Sequence, residues 1–209
     1  AISTNETYFF RDQAPFKLLQ YKIIPDVIDK RSKKQRGIRP SLRIWSAANS
    51  TGQEIYSIAM ILLEMGITSE KYNIRLFGTD ISNTAISQAT SGIYNRFEVS
   101  RGLDPKWLHK YFVPHNDKYQ IKDELKRMVQ FRTMNLMNPF AGIGKFDIIL
   151  CRNVMIYFTA QTRKKIYTHL SSSMEKDGYL LIGSTESLVN DTDLFVSSKY
   201  LNSIFYQLK

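Results

Sequence analysis

Short apolar runs of strand length alternate along this chain with segments whose apolar residues recur at helical spacing. One run, Phe146–Cys151, is almost wholly apolar, as a parallel strand buried on both faces is. The predicted strands are Leu42–Ala47, Ile74–Thr79, Phe146–Cys151, Gly178–Gly183 and an edge strand at Tyr200–Gln207. Strands and helices that alternate in this way predict a doubly wound α/β sheet in a single domain covering residues 1–209.

The helices between these strands carry their own start and stop signals. Pro15 marks a first helical turn, and an apolar stripe predicts a helix that ends near Asp29. Ser82 is placed to cap a helix that ends at Gly92. The other predicted helices are the segment Ile55–Leu63, which Gly66 stops, and Ala160–Met174.

One stretch interrupts the alternation. Between about residues 109 and 133, short apolar runs are separated by polar turns, at Tyr111–Val113, Tyr119–Ile121 and Met128–Phe131. These runs predict three antiparallel strands that form a small β-subdomain inserted into the α/β frame. Insertions of this kind sit on loops and often carry recognition.

Composition excludes several classes of protein. No apolar run approaches the roughly 20 residues that a membrane span needs, and no signal peptide is visible at the start of the sequence. A single cysteine excludes an internal disulfide, and three scattered histidines offer no metal-ligand cluster. The sequence therefore predicts a soluble, cytoplasmic protein without a metal and without membrane insertion.

The net charge of +10 is concentrated in the basic run Lys30–Arg39. This run is either an anion-binding surface or a solvated loop ahead of the first strand, because runs of like charge usually mark solvated segments. The positive charge alone does not identify a binding partner.

Candidate chemistry lies where the predicted strands end, because ligands of open parallel sheets bind beyond the carboxyl ends of the strands. The turn Ala48–Gly52 has small side chains but only one glycine, so it is not a dinucleotide fingerprint, and a plain strand-to-helix turn explains it equally well. Asp80 ends the second strand, where a carboxylate typically accepts hydrogen bonds from the hydroxyls of an adenosine ribose. Its alternatives are a helix N-cap or a surface acid. An adenosyl ligand without phosphates, such as S-adenosylmethionine, fits this pattern.

The third strand leads into Arg152–Phe158, which would face the transferring group. Cys151 lies within the apolar strand and is interpreted as a packed core thiol rather than a nucleophile. Asn153 and Tyr157 are better placed to hold cofactor and substrate.

Several motifs together resemble the chemotaxis receptor methyltransferase family, CheR. They are Thr4–Asp12, Ser46–Ser57 with its Ser-Thr-Gly-Gln-Glu core, Gly78–Ile81, Asn135-Leu136 and Phe146–Phe158. Their order and spacing span nearly the whole chain. The resemblance implies a Rossmann-like class I methyltransferase sheet that binds S-adenosylmethionine and releases S-adenosylhomocysteine. The cofactor-lining residues that it implies are Asn5, Thr7, Arg11, Glu54, Asp80, Asn135, Leu136, Arg152 and Asn153.

The resemblance also implies methylation of glutamate carboxylates in the cytoplasmic methylation region of chemoreceptors, with Arg11 and Tyr157 bordering the methyl-transfer position. Thr7 could instead cap a helix, and Arg152 could pair with a surface acid. Members of the family usually carry a small helical domain ahead of the Thr4-Asn5 motif, and almost none of this sequence precedes that motif. Because that domain helps to engage receptor helices, substrate recognition is less firmly implied than cofactor binding.

The turn Pro114–Asp117 is short and lacks glycine, whereas members that tether to a receptor C-terminal peptide have a longer, glycine-containing loop. We therefore expect no dependence on that peptide, and we expect a monomer.

Two other functions compete with this one. A nucleic-acid methyltransferase would explain the fold and the charge, but Arg152–Met155 stands where adenine methylases carry an Asp/Asn-Pro-Pro-Tyr/Phe motif, and Leu150 rather than proline precedes Cys151. The remaining alternative is a catalytically inert module that binds cofactor or receptor. We expect no nucleic-acid partner.

Overall fold

A computed structural model describes residues 6–34 and 37–209 of the chain. Its main sheet has seven strands in the order β6-β2-β1-β7-β8-β10-β9, and five of them run parallel. The strands are β1 Ser41–Ala47, β2 Asn73–Asp80, β6 Val129–Thr133, β7 Phe146–Cys151, β8 Met174–Ile182, β9 Phe195–Tyr200 and β10 Ser203–Leu208. The strand order reverses direction between β1 and β7, which places a ligand-binding crevice at their carboxyl ends.

Helices cover both faces of this sheet, so the predicted doubly wound fold is confirmed. Successive residues of β1 pack into the hydrophobic cores on opposite faces of the sheet: Ile44 lies in one core and Trp45 in the other. The helices are α1 Ala14–Leu18, α2 Ile24–Lys34, α3 Gln53–Glu64, α4 Asn83–Ser91, α5 Arg96–Ser100, α6 Pro105–Tyr111, α7 Asp123–Met128 and α8 Ala160–Ser172, with a π-helical turn at Leu19–Ile23 and a 3-10 turn at Met155–Tyr157.

The predicted end of the sheet needs two corrections. The single edge strand expected at Tyr200–Gln207 is two antiparallel strands, β9 and β10, because Leu201 with a positive φ turns the chain within the expected strand. The helix expected to reach Met174 ends at Ser172, since Met174 already pairs with Phe146 as the first residue of β8.

The small antiparallel sheet exists, but one of its predicted strands is wrong. Its order is β3-β5-β4, formed by β3 Ile93–Tyr94, β4 Phe112–His115 and β5 Lys118–Ile121. The segment predicted as its third strand, Met128–Phe131, belongs mostly to β6, which pairs in parallel with β2 at the edge of the main sheet. A short apolar run gives no indication of which sheet it joins, because both sheets accept the same pattern.

The basic run Lys30–Arg39 is not simply a solvated loop. Helix α2 continues through its first five residues to Lys34. Within that last turn Arg31 is buried and forms ion pairs with Asp147 at 2.6 Å and with Asp177 at 2.8 Å. Burial raises the pKa of Asp147, whereas the hydrogen bonds from Arg31 hold the pKa of Asp177 far below its usual value. Part of the charge run therefore fixes α2 to the start of β7 and to β8.

Replacing Arg31 with methionine should destabilise the fold strongly. The substitution leaves the Asp147 side chain, which is 1% exposed, without its cationic partner, and breaking a buried pair in this way costs about 3–5 kcal/mol. Chemical denaturation gives the free energy of unfolding. Lys33→Met on the same helix is the control, because the Lys33–Asp29 pair is exposed and should contribute less than about 1 kcal/mol. Equal effects of both substitutions would contradict this assignment.

Two features of residues 6–34 and 37–209 bear on the predicted class of protein. None of the helices there combines the length and apolar character that crossing a bilayer requires. In the same residues, no group of three or more His, Cys, Asp or Glu side chains is arranged to hold a metal ion. The metal-free site stays a prediction.

Candidate functional site

A cavity of about 280 Å³ lies beyond the carboxyl ends of β1, β2 and β7. The structure brings nine of the ten residues singled out from the sequence to its walls, while Asn5 lies outside the described residues. The nine are Thr7, Arg11, Glu54, Asp80, Asn135, Leu136, Arg152, Asn153 and Tyr157. Their placement agrees with the sequence expectation, and their individual roles stay predictions.

Asp80 ends β2 at the wall of the cavity and is 8% exposed. Its two carboxylate oxygens accept backbone N–H groups, one from Ser50 at 2.8 Å and one from Ser82 at 2.9 Å. Ser82, not Asp80, caps α4, because the Ser82 hydroxyl accepts the N–H of Ala85. The helix-cap interpretation of Asp80 is therefore wrong, and its carboxylate is a buried acceptor fixed at the cavity.

The turn after β1 has an unusual backbone. Ala48 and Ser50 have φ values of 59° and 52°, and Gly52 has a φ of 98°. Non-glycine residues rarely adopt such angles, and strain of this kind concentrates at ligand sites. Asn49 Oδ1 and Ser50 Oγ are buried at this turn and have no hydrogen-bond partner among residues 6–34 and 37–209. The turn is thus more than a plain strand-to-helix connection.

Glu54 and Arg152 form an ion pair inside the cavity, with Arg152 Nη1 donating to Glu54 Oε2 at 2.9 Å. The other oxygen of Glu54 accepts the hydroxyl of Ser46 at 2.8 Å. Arg152 Nη2 donates to the Arg11 carbonyl and to Asp12 Oδ2, at 3.1 and 3.0 Å. Arg152, which is 6% exposed, therefore ties β7 to α3 and to the N-terminal segment.

The segment from Glu6 to Asp12 lies against the cavity because aromatic contacts hold it there. Phe9 is fully buried, with edge contacts to Tyr94 and Phe112 of the small sheet at 5.1 and 5.5 Å between ring centroids. Gly102 lets this segment approach, since a Cβ at that position would lie 2.0 Å from the Phe9 carbonyl oxygen. The first helix begins only at Ala14, so Thr7 does not cap a helix.

Arg11 combines a fixed backbone with a partly open side chain. Its carbonyl is held by Arg152, and its Nη1 donates to the carbonyl of Glu6. Its guanidinium also lies 5.9 Å from the ring centroid of Tyr8. Tyr157, in the 3-10 turn after β7, is 49% exposed and lines the same cavity.

Glu186 is a site feature that the sequence prediction missed. Its carboxylate accepts the backbone N–H groups of Asn153, Val154 and Met155, which form the wall after β7. An acid placed shortly after the predicted strand Gly178–Gly183 was the available signal. That signal alone does not single out Glu186, because its partners are backbone N–H groups, which no sequence pattern displays.

Cys151 is a packed thiol, as expected. It is fully buried in the core, and burial raises the pKa of its thiol well above the usual value. A nucleophilic cysteine requires the thiolate form, which this environment opposes. The chemistry of the site therefore does not involve Cys151.

The polar groups of the cavity fit an adenosyl amino-acid ligand. Asn49 Oδ1, Ser50 Oγ and Arg152 Nε are buried without partners in the described structure, and all three residues line the cavity. Buried polar groups normally have hydrogen-bond partners, so these atoms are suited to a polar ligand. Asp80 suits a ribose diol, and the Glu54–Arg152 pair suits an ammonium and a carboxylate.

Comparisons with known proteins identify the family of this chain. Residues 5–203 match the family described as "CheR methyltransferase, SAM binding domain". A chemotaxis protein methyltransferase of Vibrio parahaemolyticus is 40% identical over all of this chain and 74% of its own length. One of Borreliella burgdorferi is 40% identical over 92% of this chain and 68% of its own length.

Among solved structures, the DszA carbon methyltransferase superposes with a TM-score of 0.50 at 16% identity. The match covers 80% of this chain and 34% of that one. This likeness concerns the fold alone, and it supports the predicted class I methyltransferase sheet. The family match, the relatives and the cavity lead to one conclusion: the chain belongs to the CheR family of S-adenosylmethionine-dependent methyltransferases.

Proposed function

We propose that this chain transfers the methyl group of S-adenosylmethionine to glutamate carboxylates in the cytoplasmic methylation region of chemoreceptors. The observation that carries the proposal is that Arg11 and the half-exposed Tyr157 line the same cavity as Asp80 and Glu54. The guanidinium of Arg11, which can bind an acceptor carboxylate, thus lines the same cavity as the carboxylates suited to the cofactor. The relatives named chemotaxis protein methyltransferases support a role in chemotaxis.

The acceptor needs no general base. S-adenosylmethionine supplies an electrophilic methyl group on a positively charged sulfonium. A glutamate side chain has a pKa of about 4.3 and is already ionised at neutral pH, so it attacks without losing a proton. In the described residues, no histidine, cysteine or lysine lines the cavity. Arg152 and Ser46 donate to Glu54, two backbone N–H groups donate to Asp80, and Arg101 donates to Glu6, so the carboxylates of the cavity have binding and structural partners.

Arg11 orients the acceptor carboxylate in this proposal. A guanidinium has five N–H donors, and one nitrogen of Arg11 is engaged by the Glu6 carbonyl. The remaining donors can hold an acceptor carboxylate in a two-point contact. Tyr157 presents its ring or hydroxyl to the transferring group, where an aromatic face attracts positive charge. Alignment and exclusion of water then supply the rate enhancement, and alignment alone can contribute about 7–11 kcal/mol.

Alkaline release of methanol tests the proposal. The chain is incubated with methyl-labelled S-adenosylmethionine and a receptor cytoplasmic fragment, and random DNA and RNA serve as parallel acceptors. We expect label on the receptor fragment that base releases as methanol, because carboxyl methyl esters hydrolyse readily. Base-stable label on nucleic acid would support the nucleic-acid methyltransferase instead, and binding without transfer would support the inert module.

The tether peptide gives a separate prediction. Strands β4 and β5 are joined by only Asn116 and Asp117, with Asn116 in the left-handed region at a φ of 54°. This two-residue hairpin offers little loop for capturing a peptide. Adding a receptor C-terminal peptide should therefore leave the methylation rate unchanged, and calorimetry should detect no tight binding. Micromolar affinity for the peptide would contradict this prediction.

A further inference from the structure

The carboxylate of Glu186 is surrounded by backbone donors. It accepts N–H groups from Asn153 at 2.9 Å, Val154 at 3.0 Å, Met155 at 2.8 Å and Gly183 at 2.7 Å. Each oxygen takes two of the four, with Oε2 facing Asn153 and Gly183. Hydrogen bonds to an ionised acceptor are about twice as strong as neutral ones. This one side chain therefore determines the conformation of the loop after β7.

Successive backbone N–H groups that converge on one point form an anion-binding concavity. In this chain the anion is the chain's own Glu186, so the concavity at residues 153–155 is filled internally. The geometry is demanding, because Asn153 has a φ of 58°, a left-handed angle that a non-glycine residue holds only when its surroundings enforce it. Glu186 supplies that enforcement.

A second clamp holds the far end of the same loop. Arg163 Nη1 donates to the carbonyl of Phe158 at 3.0 Å. Asp191, which is largely buried, orients Arg163 through two hydrogen bonds of 2.7 and 2.8 Å. Glu186 and Asp191 both belong to the segment between β8 and β9, so this segment braces both ends of residues 153–158.

We infer that Glu186 is a positioning residue for methyl transfer. It does not line the cavity, and it acts through the loop that carries Asn153 and Tyr157 to the cavity wall. This inference rests on the proposed function in one respect: the activity assay uses a receptor fragment as the methyl acceptor. A displacement of about 1 Å at such a loop can cost about a hundredfold in rate.

Glu186→Gln tests the inference with little change in shape. A carboxamide has only one acceptor oxygen, and its NH₂ group would face two of the four backbone donors. The matched control is Asp193→Asn, which removes the same charge from an exposed position of the same segment. The full chain is assayed with a receptor fragment well below its unfolding temperature, and circular dichroism checks that each variant is folded.

We expect kcat of Glu186→Gln, measured at saturating S-adenosylmethionine, to fall by about ten- to a hundredfold. Hydrogen exchange at the amides of residues 153–155 should accelerate. A merely stabilising residue would lower the unfolding temperature and leave kcat of the folded enzyme unchanged. Unchanged kcat of the folded variant would overturn the inference, whatever the amide exchange shows.

Gly183→Ala provides a second, independent variant. A Cβ at Gly183 would lie 2.7 Å from Glu186 Oε2 and 2.9 Å from Asn153 Nδ2, so it disturbs the same contact from the other side. Its effect on kcat should not add to that of Glu186→Gln, because both substitutions damage one unit. Full additivity of the two effects would overturn the inference.

Failure of the proposed function is distinguishable from failure of this inference. If the wild-type chain transfers no methyl group to the receptor fragment, the proposed acceptor is wrong. Amide exchange then tests whether Glu186 holds the loop at residues 153–155. Faster exchange of these amides in Glu186→Gln but not in Asp193→Asn supports that role, and equal exchange in the two variants overturns it.

Discussion

Asp80→Ala is expected to abolish measurable binding of S-adenosylhomocysteine. The Asp80 carboxylate is buried at the cavity wall, and it also holds the N–H of Ser50 in the turn after β1. Hydrogen bonds to a charged group contribute about 1.5–3 kcal/mol each, so loss of the contacts to two ribose hydroxyls should weaken binding at least about a hundredfold. Calorimetric titration of both proteins measures the effect.

Two variants control for indirect effects of this substitution. Asp80→Asn keeps the shape but replaces one acceptor oxygen with a donor group, so it should also bind weakly. Ser82→Ala removes the cap of α4, which costs about 1 kcal/mol of stability, and it should bind S-adenosylhomocysteine as the wild type does. Wild-type affinity in Asp80→Ala would show that this carboxylate does not hold the cofactor.

Arg11→Ala is expected to remove most turnover while the chain still binds S-adenosylhomocysteine. The side chain of Arg11 is the cation proposed to hold the acceptor, whereas its backbone position depends on Arg152 and should survive the substitution. Misplacing the reacting carboxylate by about 1 Å can cost about a hundredfold in rate, so loss of the group that orients it should lower kcat by about 100-fold or more. Steady-state kinetics with a receptor fragment and calorimetry with S-adenosylhomocysteine separate the two effects.

Arg11→Lys distinguishes charge from geometry. A lysine keeps the positive charge but lacks the planar fork that grips a carboxylate at two points, so we expect it to recover only part of the lost turnover. If binding of S-adenosylhomocysteine fell in parallel with kcat in Arg11→Ala, Arg11 would be primarily a cofactor residue.

The main sheet could be predicted from the sequence because its central strands have a distinctive pattern. Phe146–Cys151 is apolar at almost every position, and an apolar run of this length is typical of a strand that is covered on both faces. Asp80, Asn153 and Tyr157 then follow from where those strands end. Thr7, Arg11 and Arg152 were implied only by the family resemblance. The cavity was therefore located by the rule that ligands bind at the carboxyl ends of parallel strands.

The errors arose where local pattern carries no long-range information. The run Met128–Phe131 resembles a strand of either sheet, and only the three-dimensional pairing of β6 with β2 decides between them. Arg31 lies in a run of like charges, yet two distant aspartates make it a buried residue. The local charge run suggests that Arg31 is exposed to solvent, because the run gives no information about its distant partners Asp147 and Asp177.

Glu186 shows a third kind of limit. Its importance comes from backbone N–H groups, which every residue has and which no sequence pattern displays. Sequence reasoning identifies side chains that touch a ligand more easily than side chains that shape the backbone around it. The carboxylate partner of the loop at residues 153–155 is apparent only in the folded structure.

Mapping the methylated atom tests the central claim most directly. A receptor cytoplasmic fragment is methylated by this chain and digested, and mass spectrometry locates the added methyl groups before and after mild base. We predict methylation on glutamate side chains, removed by base and absent when those glutamates are replaced by alanine. Base-stable methylation on lysine, arginine, histidine or cysteine would contradict the proposed carboxylate acceptor.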